Sequence, residues 1–94
     1  MEFLVRTEID LPAAMDAERR AGLVEAEAKR GRELRAAGSI VRMWRVPGRT
    51  ANVGIWSAAD ATDLHALLAA LPLFDWMSMT VEPLATHYLE DPDA

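Results

Sequence analysis

Apolar side chains along this chain switch between two spacings, and the order of the switches narrows the fold more than any other feature. Residues 2–9 alternate as a strand does, with Phe3, Val5, Thr7 and Ile9 on one face and Glu2, Leu4, Arg6 and Glu8 on the other. Asp10-Leu11-Pro12 ends that run. From Asp16, a suitable N-cap, to Ala37 the chain is rich in alanine, glutamate and arginine and predicts a long helix, with Gly38 as its stop. Residues 39–46 and 50–56 predict two further strands, joined as a hairpin through Pro47-Gly48 in a type II turn. Ser57 or Asp60 caps a second helix, in which Leu64, Leu67, Leu68 and Leu71 follow helical spacing until Pro72. Met77, Met79 and Val81 then alternate with Ser78, Thr80 and Glu82 in a fourth strand, and residues 85–94 read as a polar tail or arm.

The order βαββαβ predicts an α+β, ferredoxin-like fold: one domain over residues 1–94, a four-stranded antiparallel sheet and two helices on one face. The other face is left open. Strand parity assigns it Leu4, Trp44 and Trp56 beside Arg6, Arg42 and Asn52, an amphipathic surface suited to assembly, to a ligand, or to both. Seventeen of the apolar residues are alanine, so larger apolar side chains make up only about a third of the 94 residues. A small domain also hides a smaller share of its surface. The expectation is that further apolar surface is buried between copies of the chain.

Charge and composition exclude several classes. Ten basic residues against fifteen acidic ones give a net charge of −5, which argues against nucleic acid as a partner. The absence of cysteine removes disulfides and thiolate metal sites. With only His65 and His87, no metal-ligand spacing stands out, and there is no glycine-rich phosphate loop. The longest apolar stretch, residues 66–74, is broken by Pro72 and too short to cross a bilayer, and the first residues lack the pattern of a signal peptide. A cytoplasmic domain with no membrane partner is expected.

Chemistry centres on the first helix. Leu23, Glu27, Arg30 and Leu34 fall within an arc of about 60° at helical spacing, so Glu27 shares the apolar stripe expected to face the sheet. Such a carboxylate either pairs with a sheet arginine or sits beneath a pocket with its basicity raised by desolvation. Arg45 lies among Met43, Trp44 and Val46 and calls for a carboxylate, from the protein or from a ligand. Asn52 interrupts a strand, where it serves either a structural hydrogen bond or a ligand. His65 stands at the margin of the second helix's apolar face. The tryptophans 44, 56 and 76 form either core or an aromatic pocket.

Taken together, the chain resembles the muconolactone Δ-isomerase family. The resemblance rests on Leu11-Pro12 with Met15-Asp16, Leu23 with Glu27, and Trp44-Arg45-Val46-Pro47-Gly48 followed by Ala51-Asn52. Leu64-His65 and Leu71-Pro72-Leu73-Phe74 with Met77 extend it, nearly without gaps, from Met1 to about His87. It implies a ferredoxin-like domain, a ring-shaped homodecamer, and a cofactor-free isomerase of the β-ketoadipate pathway for catechol breakdown. The implied reaction shifts a proton along an acidic lactone, from muconolactone to 3-oxoadipate enol-lactone. It further implies catalytic roles for Glu27 as base and for Arg45 and Asn52, which would also hold the substrate, with His65 and His87 matching in supporting roles at the substrate site; Trp56, from the aromatic set above, is a further candidate substrate contact. Val24 stands where the family has lysine, and Thr50 and Val53 where it has tyrosines, which leaves open a different acidic, cyclic or polyketide-like substrate. A non-catalytic binding or assembly module is the reading from another class.

Overall fold

A computed structural model describes all residues, 1–94, and realises the expected order. The strands are β1 (Glu2–Ile9), β2 (Ile40–Arg45), β3 (Ala51–Ser57) and β4 (Met77–Leu84); the helices are α1 (Ala17–Ala36) and α2 (Ala61–Ala69). The sheet is antiparallel throughout with strand order β2-β3-β1-β4. Side-chain capping fixes both helix starts: Asp16 accepts from Arg19 N–H at 3.1 Å, and Asp60, rather than Ser57, accepts from Asp63 N–H at 2.9 Å. The β2–β3 turn closes with Arg49 N–H donating to Val46 C=O, and Gly48 takes the φ of +76° that a type II turn demands.

Phe3, Val5, Ile40 and Trp56 from the sheet pack with Leu34 of α1 and with Leu64, Leu68 and Leu71 of the α2 segment. Only 12 of the 94 residues are buried, so the core is as thin as the composition implied. Two elements escaped the sequence pattern. A 3₁₀ turn over Phe74–Trp76 leads into β4, and a second one, Tyr88–Glu90, lies within the exposed arm. β2 carries an irregularity between Ile40 and Arg42, which lets Ile40 and Met43 face the helices together despite their odd separation.

The register corrects the expected faces of β3. Phe3 opposes Trp56, and Thr7 opposes Asn52, so Trp56, Gly54 and Asn52 all lie on the helix-covered face. The open face holds Leu4, Arg6, Arg42 and Trp44 as expected, but with Val53 and Ile55 in place of Trp56 and Asn52. Trp56 is 4 % exposed and belongs to the core.

Candidate active site

Glu27 is half-buried on the stripe of α1 that turns toward the sheet. It forms no ion pair. One oxygen, Oε1, accepts the Leu73 N–H at 3.0 Å, a bond that ties the middle of α1 to the Leu71-Pro72-Leu73-Phe74 segment. Burial pushes the Glu27 pKa up from 4.5, and the Leu73 hydrogen bond partly opposes that rise. The arginine-paired alternative is therefore not the one realised. What remains is a desolvated carboxylate with one oxygen committed to a backbone amide and the other free of protein partners.

Arg45 and Asn52 are cross-strand partners in the β2–β3 register and lie on the helix side. They line a cavity of about 300 Å³ with Ile9, Met43, Trp44 and Thr50. Arg45 is exposed and makes neither an ion pair nor a hydrogen bond within the chain, so its guanidinium fork is free for an anion. Glu27 does not line this cavity. The two groups nevertheless belong to one end of the sheet. Asn52 opposes Thr7 near the finish of β1, and Asp10 N–H donates to Trp76 C=O three residues beyond Leu73.

The remaining sequence candidates divide. His65 is brought toward the Glu27-bound segment: its ring meets Phe74 edge-on, with centroids 6.4 Å apart. Trp56 offers no free surface to a ligand within one chain, because its ring is enclosed by the core. His87 lies past the end of β4, by Met1 and Glu2 at the opposite end of the sheet. There its Nδ1 accepts from Leu89 N–H at 3.1 Å and its ring stacks on Tyr88. Of the three positions at which the resemblance implies a departure from the family, Thr50 lines the Arg45 cavity, Val53 is on the other face of the sheet, and Val24 is exposed on α1. The loop amide of Leu73 and the wall residues Ile9 and Met43 had no signature in the sequence, since their roles come from long-range packing.

The family model for Muconolactone delta-isomerase matches residues 1–90. The chain belongs to the muconolactone Δ-isomerase family. It is 37 % identical over 87 residues to Muconolactone Delta-isomerase 2 of Acinetobacter lwoffii, covering 93 % of this chain and 91 % of that one. It is 36 % identical, again over 87 residues, to the Muconolactone Delta-isomerase of Cupriavidus pinatubonensis, covering 93 % and 95 %. A crystal structure of muconolactone isomerase superimposes with a TM-score of 0.88 at 31 % identity, covering 94 % of this chain and 92 % of that one. A 5-chloro-2-hydroxyhydroquinone dehydrochlorinase from Burkholderia phenoliruptrix AC1100 shares the fold, with a TM-score of 0.67 at 18 % identity and coverage of 93 % and 96 %. The ferredoxin-like α+β expectation agrees with both the structure and these relatives.

Proposed function

We propose that this chain is an isomerase that moves the double bond of muconolactone, yielding 3-oxoadipate enol-lactone, with Glu27 as the base. The carrying observation is the desolvated Glu27 carboxylate, unpaired by any cation, in a chain of this family. The free oxygen of Glu27 removes the proton on the ring carbon next to the lactone oxygen. Electron density then flows through the C=C bond to the lactone carbonyl, giving a dienolate. The same carboxyl returns the proton to the carbon adjacent to that carbonyl, so substrate and product differ only in where one proton and one double bond sit. A raised pKa suits a base that must take a proton and give it back. The Asn52 side-chain amide suits stabilisation of the dienolate oxygen, and the Arg45 guanidinium suits the substrate's free carboxylate. Thr50 in the cavity wall, in place of a tyrosine, bears on how tightly the lactone is held.

The test is direct. Purified protein given muconolactone should consume it and accumulate the enol-lactone, and Glu27→Gln should lose that activity. Wild type and variant that are equally inert would sink the proposal.

We also infer that the chain works as a homo-oligomer, up to the ring implied by the family, through the open sheet face. One row across that face reads Arg42, Ile55, Leu4, Glu82 from β2 to β4, because Arg42 opposes Ile55, Ile55 opposes Leu4 and Leu4 opposes Glu82. The row is basic at one edge, apolar in the middle and acidic at the other. A two-fold axis parallel to the strands, passing between Leu4 and Ile55, brings Arg42 of one copy over Glu82 of the next and stacks the apolar pairs. Such an interface is self-complementary, as closed dimers require.

A further inference from the structure

We propose that Arg19 is a positioning residue for the reaction: its guanidinium, lying on the Trp76 ring, holds the turn whose Leu73 amide aims the Glu27 carboxylate. The inference rests on the reading of Glu27 as the base. α1 grips residues 73–76 at two points. Near its middle, Glu27 Oε1 accepts the Leu73 N–H at 3.0 Å. Two turns earlier, roughly 12 Å along the helix axis, the guanidinium carbon of Arg19 lies 5.5 Å from the centre of the Trp76 ring, within cation–π range. A single turn joins the two grips, because Trp76 N–H donates to Leu73 C=O at 3.0 Å. A shift of the Trp76 ring is therefore passed to the Leu73 peptide without a flexible link between them.

The turn has two other anchors, and neither fixes its rotation. The Leu73 side chain is buried in the core, and Trp76 C=O accepts Asp10 N–H at 2.9 Å at the end of β1. Two anchors still allow the turn to roll about the line joining them. The Trp76 ring, half-buried and seated on Arg19, opposes that roll. Arg19 is free for this task, since its side chain makes no ion pair. Its neighbour Arg20 is spent elsewhere, donating to Pro12 C=O at 2.8 Å.

The roll matters because the Leu73 N–H is the one hydrogen-bond partner of Glu27. Its direction decides which way the free carboxylate oxygen faces. The other charged groups near Glu27 do not substitute for it. Arg30, one turn further along α1, is paired with Glu33 at 3.2 Å. Asp75 within the turn is exposed, and His65 of α2 reaches the segment only through the Phe74 ring. Arg45 stands at a cavity that Glu27 does not line.

Four single variants separate a tether from a general loss of packing. Arg19→Met and Trp76→Leu remove the contact, whereas Arg19→Lys and Trp76→Phe keep a cation over an aromatic face. With muconolactone the first two should lower kcat by about 2–5-fold, the worth of one exposed cation–π contact, and leave KM unchanged. The conservative pair should retain more of the rate. The double variant Arg19→Met with Trp76→Leu should be no slower than either single, because both break one contact. The amide proton of Leu73, observed by NMR in leucine-labelled protein, reads the aim directly. Its chemical shift should follow the titration of Glu27 in the wild type and lose that dependence in Glu27→Gln, which separates it from His65 and Asp75. Arg19→Met and Trp76→Leu should shrink the amplitude, and the conservative pair should not. Equal amplitudes in all four variants overturn the proposal, and so does a double variant whose losses simply add. If the wild type leaves muconolactone unchanged while the amplitude still shrinks, the isomerase reading falls and the Arg19 tether on Glu27 stands.

Discussion

Two opposed influences act on the carboxyl of Glu27: burial raises its pKa from 4.5, and the Leu73 N–H lowers it again, with burial the larger. Because the folded value is the higher one, the folded state favours the protonated form. The charged form therefore carries a stability cost that sets in as the pH rises past the unfolded value near 4.5 and is complete above the raised folded value. Glu27→Gln keeps an acceptor for the Leu73 N–H and removes the charge. It should lower kcat by about 10²–10⁴-fold, the usual worth of a positioned base, yet raise Tm at pH 7–8 and leave it nearly unchanged at pH 4. Steady-state kinetics and thermal melts at the two pH values read both effects, and a lower Tm at neutral pH would contradict the desolvation argument. Wild-type kcat/KM should correspondingly rise with pH through an acid limb lying above 4.5. Arg45→Ala should act differently, raising KM by about 10–100-fold with kcat less affected, since a charge-assisted contact is worth roughly 1.5–3 kcal/mol. Glu27 was legible in the sequence because two leucines marked its stripe; its Leu73 partner, 46 residues away, had no local signature.

The elements themselves were largely readable, and the failures have identifiable causes. On β3 the open face carries Ala51, Val53 and Ile55, while the face under the helices carries Asn52, Gly54 and Trp56. By hydropathy the outer row looks like the core row, so parity alone assigned Asn52 and Trp56 to the wrong side. Gly54 explains the inversion. A Cβ there would collide with the Met43 side chain and come within 2.9 Å of the Arg42 carbonyl oxygen, so the core-facing position must be empty for Met43 to lie over it. The glycine thus removes an apolar residue from the pattern while remaining buried. Gly54→Ala should destabilise by about 1–3 kcal/mol through overpacking, a fall in Tm of several degrees for a domain of this size. It should also disturb the Arg45 cavity, whose wall includes Met43. Adding Met43→Ala makes room for the new methyl and should recover part of the lost Tm. A double variant no more stable than Gly54→Ala would show that the Arg42 backbone, not the Met43 side chain, sets the limit.

At the scale of the molecule, a core of ten buried apolar residues and an amphipathic sheet face are two sides of one property. The chain folds into a single sheet with helices on one side only, and α1 contributes just Leu34 to the fully buried set. Much of its apolar surface is left on the other side, where Leu4, Val53 and Ile55 are half-buried and Trp44 and Leu84 are exposed. Arg42 sits over the Trp44 ring at 4.9 Å, holding both side chains against the sheet at the β2 edge. In the self-complementary arrangement proposed above, that basic edge meets the acidic Glu82 edge of the next copy. Arg42→Glu places like charges across both symmetric contacts and should weaken assembly. Glu82→Arg alone should do the same for the opposite reason. The double variant restores opposite charges and should recover the native mass in light scattering at low salt. Raising the salt should narrow the differences among all four proteins, because exposed pairs are screened beyond about 8–10 Å at physiological ionic strength. If both single variants assemble like wild type, the row from Arg42 to Glu82 is not the contact, whatever the oligomer. If the singles dissociate and the charge-swapped double stays dissociated, the two residues meet other partners and the axis between Leu4 and Ile55 is wrong.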